Sequence, residues 1–123
     1  MRTRSQPVQV WPRSISIFVR TFDFISWLLP VTNSFPRAHR HTLTRRLLDA
    51  AFDLRERLED ANLRQAHRLE RLAEADAALA RVRVYVRLAA RFGWLTNGQY
   101  EHVAAMVAEI GRLLGGWQKA TAR

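Results

Sequence analysis

A chain of 123 residues, 48% hydrophobic and 25% charged, has room for one domain around one core and is too apolar to remain disordered. Its formal charge of +9 rests on nineteen arginines and a single lysine, Lys119, so polyanions such as RNA, DNA or an acidic protein surface are its natural counterparts. The lack of cysteine excludes a disulfide framework, a thiolate metal site and a cysteine nucleophile, and the expected location is a reducing cytoplasm.

Residues 1–13 carry Arg2, Arg4 and Arg13 with Pro7 and Pro12, a composition that neither nucleates a helix nor packs a core, so a mobile basic tail is expected. The most apolar stretch, Ser14 to Val31, does not suit a bilayer. Arg20 and Asp23 lie inside it, Pro30 interrupts its end, and no apolar run approaches the roughly 20 residues a crossing needs. It reads as an amphipathic helix to about Leu29, burying Ile15, Phe18, Phe22, Ile25 and Leu29, with Phe24, Trp27 and Leu28 widening that face. Pro30 is expected to kink or end the helix, and Asn33-Ser34-Phe35-Pro36 to turn the chain into a second one with Pro36 at an early helical position.

The second helix is predicted from about Arg37 to Asn62, burying Leu43, Leu47, Ala50, Ala51, Leu54, Leu58 and Ala61. Arg45, Asp49, Asp53 and Arg57 descend its other side at four-residue steps, a solvated ladder worth a few tenths of a kcal/mol per pair. A short connection to about Ala66 leads into a third helix carrying Leu69, Leu72, Ala73, Leu79, Val82, Val86 and Ala89. It runs to about Phe92 and stops at Gly93, which supplies a left-handed residue. Thr96 is placed as the N-cap of the fourth helix, with Gln99 closing a capping box and Leu95 stapled onto Tyr100. Val103, Met106, Val107, Ile110, Leu113, Leu114 and Trp117 form its apolar stripe. Gly111, Gly115 and Gly116 suggest a close backbone approach or, for the last pair, fraying into a tail. The predicted fold is all-α, an antiparallel up-and-down four-helix bundle over 14–119, with a C-terminal tail at 120–123.

The usual catalytic constellations are absent: no G-x-S-x-G, no phosphate-cradling glycine loop, no H-E-x-x-H. His39 and His41 are two apart, on different sides of a helix, and His67 and His102 stand alone, so no metal or cofactor is expected. Asp49 and Asp53 share a face, but flanking Arg45 and Arg57 favour their ionised forms over an acid–base role. The basic residues are distributed less evenly. No acidic residue lies from Ala77 to Tyr100, whereas Arg81, Arg83, Arg87 and Arg91 all do. The last three are four apart, so they share an arc of about 80° and offer three guanidinium groups along roughly 12 Å, a pitch suited to a phosphate backbone. The bland alternative is a solubilising face whose arginines lie on the bundle and contact only water or the acids of the second helix. A lesser cluster, Arg37, Arg40, Arg45 and Arg46, opens the second helix, where cations oppose the helix dipole and suggest an external anion. Most aromatic residues sit at core spacing; Trp11 and Trp94, off the stripes, are kept as candidates for base stacking.

Several blocks carry a family likeness: Trp27-Leu28-Leu29-Pro30; Phe35-Pro36-Arg37 with Arg40-His41-Thr42-Leu43; Trp94-Leu95 through Gln99-Tyr100-Glu101; and Glu109-Ile110-Gly111-Arg112-Leu113-Leu114-Gly115-Gly116-Trp117. In this order, over about Phe18 to Lys119, the chain resembles the accessory variability determinant proteins of diversity-generating retroelements. It departs from them at His41, where an aromatic residue is commoner, and in its use of arginine for most lysines. The resemblance implies a four-helix bundle assembled as a ring-shaped homopentamer, without catalytic residues. Its partners would be the retroelement's reverse transcriptase and RNA, DNA or a hybrid, in support of mutagenic copying of template RNA into a variable gene. Arg83, Arg87 and Arg91, with Arg81 in support, fit the basic surface such proteins use, and helices one and four would supply subunit contacts. The architecture also resembles the four-helix proteins encoded in ribosomal RNA intervening sequences, which would imply a ribosome-associated or RNA-binding role instead.

Overall fold

The computed structural model describes residues 13–123, with side chains from Ser16 onward. The expected mobile tail and Trp11 therefore lie outside the described residues, apart from the backbone of Arg13. Four helices make up the bundle: α1 (Arg13–Thr32), α2 (Arg45–Leu63), α3 (Arg68–Arg91) and α4 (Asn97–Ala122). Connections of four and five residues after α2 and α3 span at most about 18 Å, less than the ~30 Å or more of the helices they join, so consecutive helices must run antiparallel. Each helix packs on two neighbours, α1 on α2 and α4, α3 on α2 and α4, which closes the four into one layer around a single core.

Where one stripe of a helix is apolar and the other charged, the core falls where the spacing places it. In α2, Leu47, Ala50, Ala51, Leu54, Leu58 and Ala61 are all buried, with Leu43 half-buried just before it. In α4, Val103, Val107, Ile110, Leu114 and Trp117 are buried, and Met106 and Leu113 flank them. In α3 the expected Leu72, Leu79, Val82, Val86 and Ala89 are buried together with Ala75 and Ala78, while Leu69 and Ala73 are exposed, so the inward face begins one turn later than expected.

Helix α1 corrects the prediction. Its buried stripe is Ile17, Thr21, Phe24 and Leu28, whereas Phe22 is 64% and Leu29 41% exposed, and Phe18 and Ile25 are only half-buried. Ile15 lies before the described side chains. The helix is apolar around most of its circumference, so two stripes about 100° apart compete, and spacing alone does not choose between them. The inward turn of Thr21 is made tolerable by hydrogen bonds: its hydroxyl donates to the Ile17 carbonyl at 2.9 Å and accepts from Arg55 Nη1 at 3.3 Å.

Pro30 does not end α1, which continues to Thr32. The hydrogen bond a proline forfeits falls in the last turn, and Asn33, Ser34 and Phe35 then tighten the chain through i→i+3 bonds to Pro30, Val31 and Thr32. The second helix also starts later than expected. Pro36 is extended, Arg37–His39 form a 3₁₀ turn, and Arg40–Thr44 wind as a π turn before α2 proper begins at Arg45. The widened turn has a local consequence. Thr21, Thr32 and Thr121 donate their hydroxyls back to carbonyls three or four residues earlier, but the Thr44 hydroxyl is buried without a partner.

The helix ends near α4 follow local chemistry. Gly93 has φ +77°, the Gly93 N–H donates to Ala90 and the Trp94 N–H to Ala89, the paired bonds of a Schellman motif. Thr96 accepts from the Gln99 N–H at 3.0 Å, and the Gln99 side chain accepts from the Thr96 N–H at 2.9 Å, the expected capping box. At its other end, α4 runs through Gly115 and Gly116 to Ala122, where fraying had been expected.

Candidate nucleic-acid interface

The acid-free half of α3 lies along the seam with α4. Arg83, Arg87 and Arg91 are all exposed, and among the described residues no carboxylate is within ion-pairing distance of any of them. Arg83 and Arg87 border an open groove of about 520 Å³ whose floor is Val86, Val107, Ala104, Ala108 and Gly111. A second depression of about 620 Å³, lined by Val84, Leu88 and Arg91, shares Arg87 and Tyr100 with the first, so the two form one continuous surface.

Gly111 explains how Arg83 reaches across this groove. A Cβ placed on Gly111 would stand 2.5 Å from Arg83 Nη2, so the guanidinium occupies the space a side chain would fill. The close approach anticipated at this glycine is therefore made by a side chain, and at Gly115 nothing in the chain comes within 4 Å of such a Cβ. On the far wall, Arg112 is committed to Glu109 through two contacts of 2.8 and 2.7 Å. That bond holds the Glu109 carboxyl below the usual carboxylate range and raises Arg112.

Arg81 departs from the group expected of it. Its guanidinium turns to Asp53 of α2 at 3.6 Å, bridging helices on the opposite side of α3. Asp53 thus pairs across helices, while Arg57 bonds Asp60 at 3.0 Å, so the predicted α2 ladder survives only in Arg45 and Asp49 at 3.9 Å. Arg81 thus pairs with an acid of α2, as the bland alternative allows, whereas Arg83, Arg87 and Arg91 are exposed and pair with no carboxylate among the described residues.

The second basic cluster divides. Arg37 belongs to the 3₁₀ turn, Arg40 to the π turn, and Arg45 and Arg46 to the first turn of α2, all exposed. Antiparallel order puts the start of α2 beside the end of α3, and ring contacts bring the two basic segments together. His39, between Arg37 and Arg40, stacks on Trp94 at 5.1 Å, and Phe92, next to Arg91, stacks on the same indole at 5.8 Å.

Arg55 escaped the sequence reading. It is largely buried between α2 and α1, donates to the Phe18 carbonyl at 2.9 Å, pairs with Glu59 and lies 5.0 Å from the Phe18 ring centre. Nothing in its spacing separates it from the solvated arginines. Among the described residues no group of three or more histidines and carboxylates is gathered closely enough to hold a metal ion. Three of the four histidines have other partners: His102 meets Trp27 at 5.3 Å, His39 meets Trp94, and His67 bonds Glu70, whose carboxyl it pulls down. Among the described residues no helix is long and apolar enough to cross a membrane.

A family model described as bAvd-like matches residues 16–121. No curated protein matches the chain. Among solved structures, a protein with unknown function from the S23 ribosomal protein family of Bacteroides thetaiotaomicron is similar with a TM-score of 0.79, covering 88% of this chain and 99% of its own, at 16% identity. At that identity the likeness concerns the fold.

Proposed function

This chain belongs to the bAvd-like family, and we propose that it serves as the accessory variability determinant of a diversity-generating retroelement. In this reading it is a non-catalytic cytoplasmic bundle that engages the reverse transcriptase and template RNA through the α3 face. The observation that carries the reading is the exposed series Arg83, Arg87 and Arg91 on an acid-free helix half, none of them ion-paired among the described residues. Clustered cations without a counter-charge cost stability, and a phosphate backbone or an acidic protein face supplies that charge.

The bundle would assemble as a ring-shaped homopentamer. Support comes from α1, where Val19, Phe22 and Leu29 are 52%, 64% and 41% exposed, an apolar face that one bundle leaves in water.

The test is a pulldown with the retroelement's reverse transcriptase and template RNA, comparing wild type with an Arg83→Ala, Arg87→Ala, Arg91→Ala variant of unchanged helical content. Loss of the complex is expected; unchanged capture by the folded variant would remove the α3 face from consideration. If the three arginines contact phosphates directly, the log–log slope of RNA affinity against salt should flatten by roughly 2 to 3 in the variant. Fold similarity to the S23 family protein favours one second reading, an RNA-binding protein of the ribosomal intervening-sequence type. A reverse transcriptase gene and repeat pair beside the gene would decide against it.

A further inference from the structure

The end of the bundle where α1 turns into α2 and α3 into α4 carries an aromatic series that begins in the core and reaches the surface. Phe35 is buried and packs on Trp94 at 5.5 Å, holding the indole from beneath. Trp94 in turn meets His39 at 5.1 Å with 33° between planes, and Phe92 at 5.8 Å with 32°. Phe92 is 64% exposed and His39 is exposed, so both outer rings present faces to water. Phe92 sits on the Schellman turn beside Gly93, off the inward stripe of α3, and its one ring contact among the described residues is with Trp94.

Cations adjoin these rings in the chain. Arg91 precedes Phe92, and Arg37 and Arg40 flank His39. Beside Phe35 lies a pocket of about 210 Å³ bordered by Asn33, Arg37, Arg40 and Thr44. The Thr44 hydroxyl, buried without a partner, is the donor that the π turn deprives of its usual backbone carbonyl. Solvent-facing rings of low tilt, interleaved with guanidinium groups that no carboxylate neutralises, match the requirements of unpaired bases and their phosphates. A duplex hides its bases and cannot use such rings.

We infer that this end of the bundle is a binding site for single-stranded nucleic acid, with bases stacking on Phe92 and His39 and phosphates held by Arg37, Arg40 and Arg91. The choice of polymer rests on the nucleic-acid reading of the α3 face, whereas the preference for single strands rests on the rings alone. Arg91 then links the stripe of α3 to the site that it shares with Arg37 and Arg40 of the turns before α2.

The test uses the full chain and fluorescence anisotropy with three probes of equal length, about twelve nucleotides: oligouridylate, the same strand without bases, and a duplex. Wild type should bind oligouridylate about tenfold more tightly than the abasic strand. The Phe92→Ala and His39→Ala double variant should lose that increment and bind both strands alike, while Phe92→Trp should retain it. Both substituted positions are exposed, and thermal unfolding should confirm an intact fold. The Arg83, Arg87 and Arg91 alanine variant should weaken all three probes. Equal affinity of wild type for base-bearing and abasic strands would overturn the stacking site and leave the α3 face standing. Absence of binding to every probe would overturn both. Loss of transcriptase capture in the Phe92 and His39 variant, with oligouridylate affinity unchanged, would assign the rings to a protein contact and overturn the proposal as well.

Discussion

Gly111 and Arg55 are the two residues at which a single atom's surroundings decide the outcome of a substitution. Alanine at Gly111 would displace Arg83, but the obstructing atom is the end of a flexible side chain, and Leu79 at 3.6 Å is at ordinary contact distance. Replacing glycine inside a helix stabilises it by up to about 1 kcal/mol. Gly111→Ala is therefore expected to raise the denaturation midpoint while weakening RNA binding by moving Arg83, and Gly115→Ala to raise the midpoint with binding unchanged. Urea unfolding and an RNA titration of the pair separate the two effects. Arg55 behaves in the opposite way to the other arginines, because its charge is turned inward onto the Phe18 carbonyl, Thr21 and Glu59. Arg55→Ala leaves Thr21 with fewer partners at a helix interface and should cost about 2 kcal/mol in urea unfolding, without altering the salt dependence of RNA binding. Arg55 was not legible in the sequence, since arginines at similar spacing are solvated elsewhere in α2, and at Gly111 the sequence suggested a close approach without showing that the Arg83 side chain makes it.

At the level of elements, boundaries set by bonds within four or five residues were the readable ones. The Thr96 capping box and the Gly93 turn stand where their residue types place them, because each is satisfied by its own neighbours. Thr96→Ala removes one acceptor from the first turn of α4 and is expected to lower stability by about 1 kcal/mol, measured by thermal or urea unfolding, with Thr96→Ser close to wild type. Boundaries without such signals went elsewhere. The helix after Pro36 was expected to begin at about Arg37, but it opens with a 3₁₀ turn and a π turn, whose extra residue is accommodated by packing between α1 and α2 and announced by no residue type. The start of α3 depends on His67 in the left-handed region at φ 59°, a conformation that histidine tolerates better than a branched residue.

For the whole molecule, charge and exposed apolar surface both ask for partners. The α1 face formed by Val19, Phe22 and Leu29 leads to a direct expectation: Phe22→Ser, at a position 64% exposed, should leave helical content and unfolding midpoint of the isolated bundle near wild type while reducing the assembled mass in light scattering. An unchanged mass would exclude this face from subunit contacts. The family, the four helices, the cores of α2 and α4, and the acid-free run of α3 were all determined by the sequence alone. The family rests on a resemblance in short motif blocks and the others on composition or a period of 3.6 residues, all of them properties of segments considered by themselves. Only the tertiary structure decided which apolar stripe of α1 turns inward, that Arg81 is drawn away to Asp53, and that His39 and Phe92 meet around Trp94. These outcomes depend on how helices distant in sequence are set against one another, and the spacing of residues within one helix carries no information about the rotation of its neighbour.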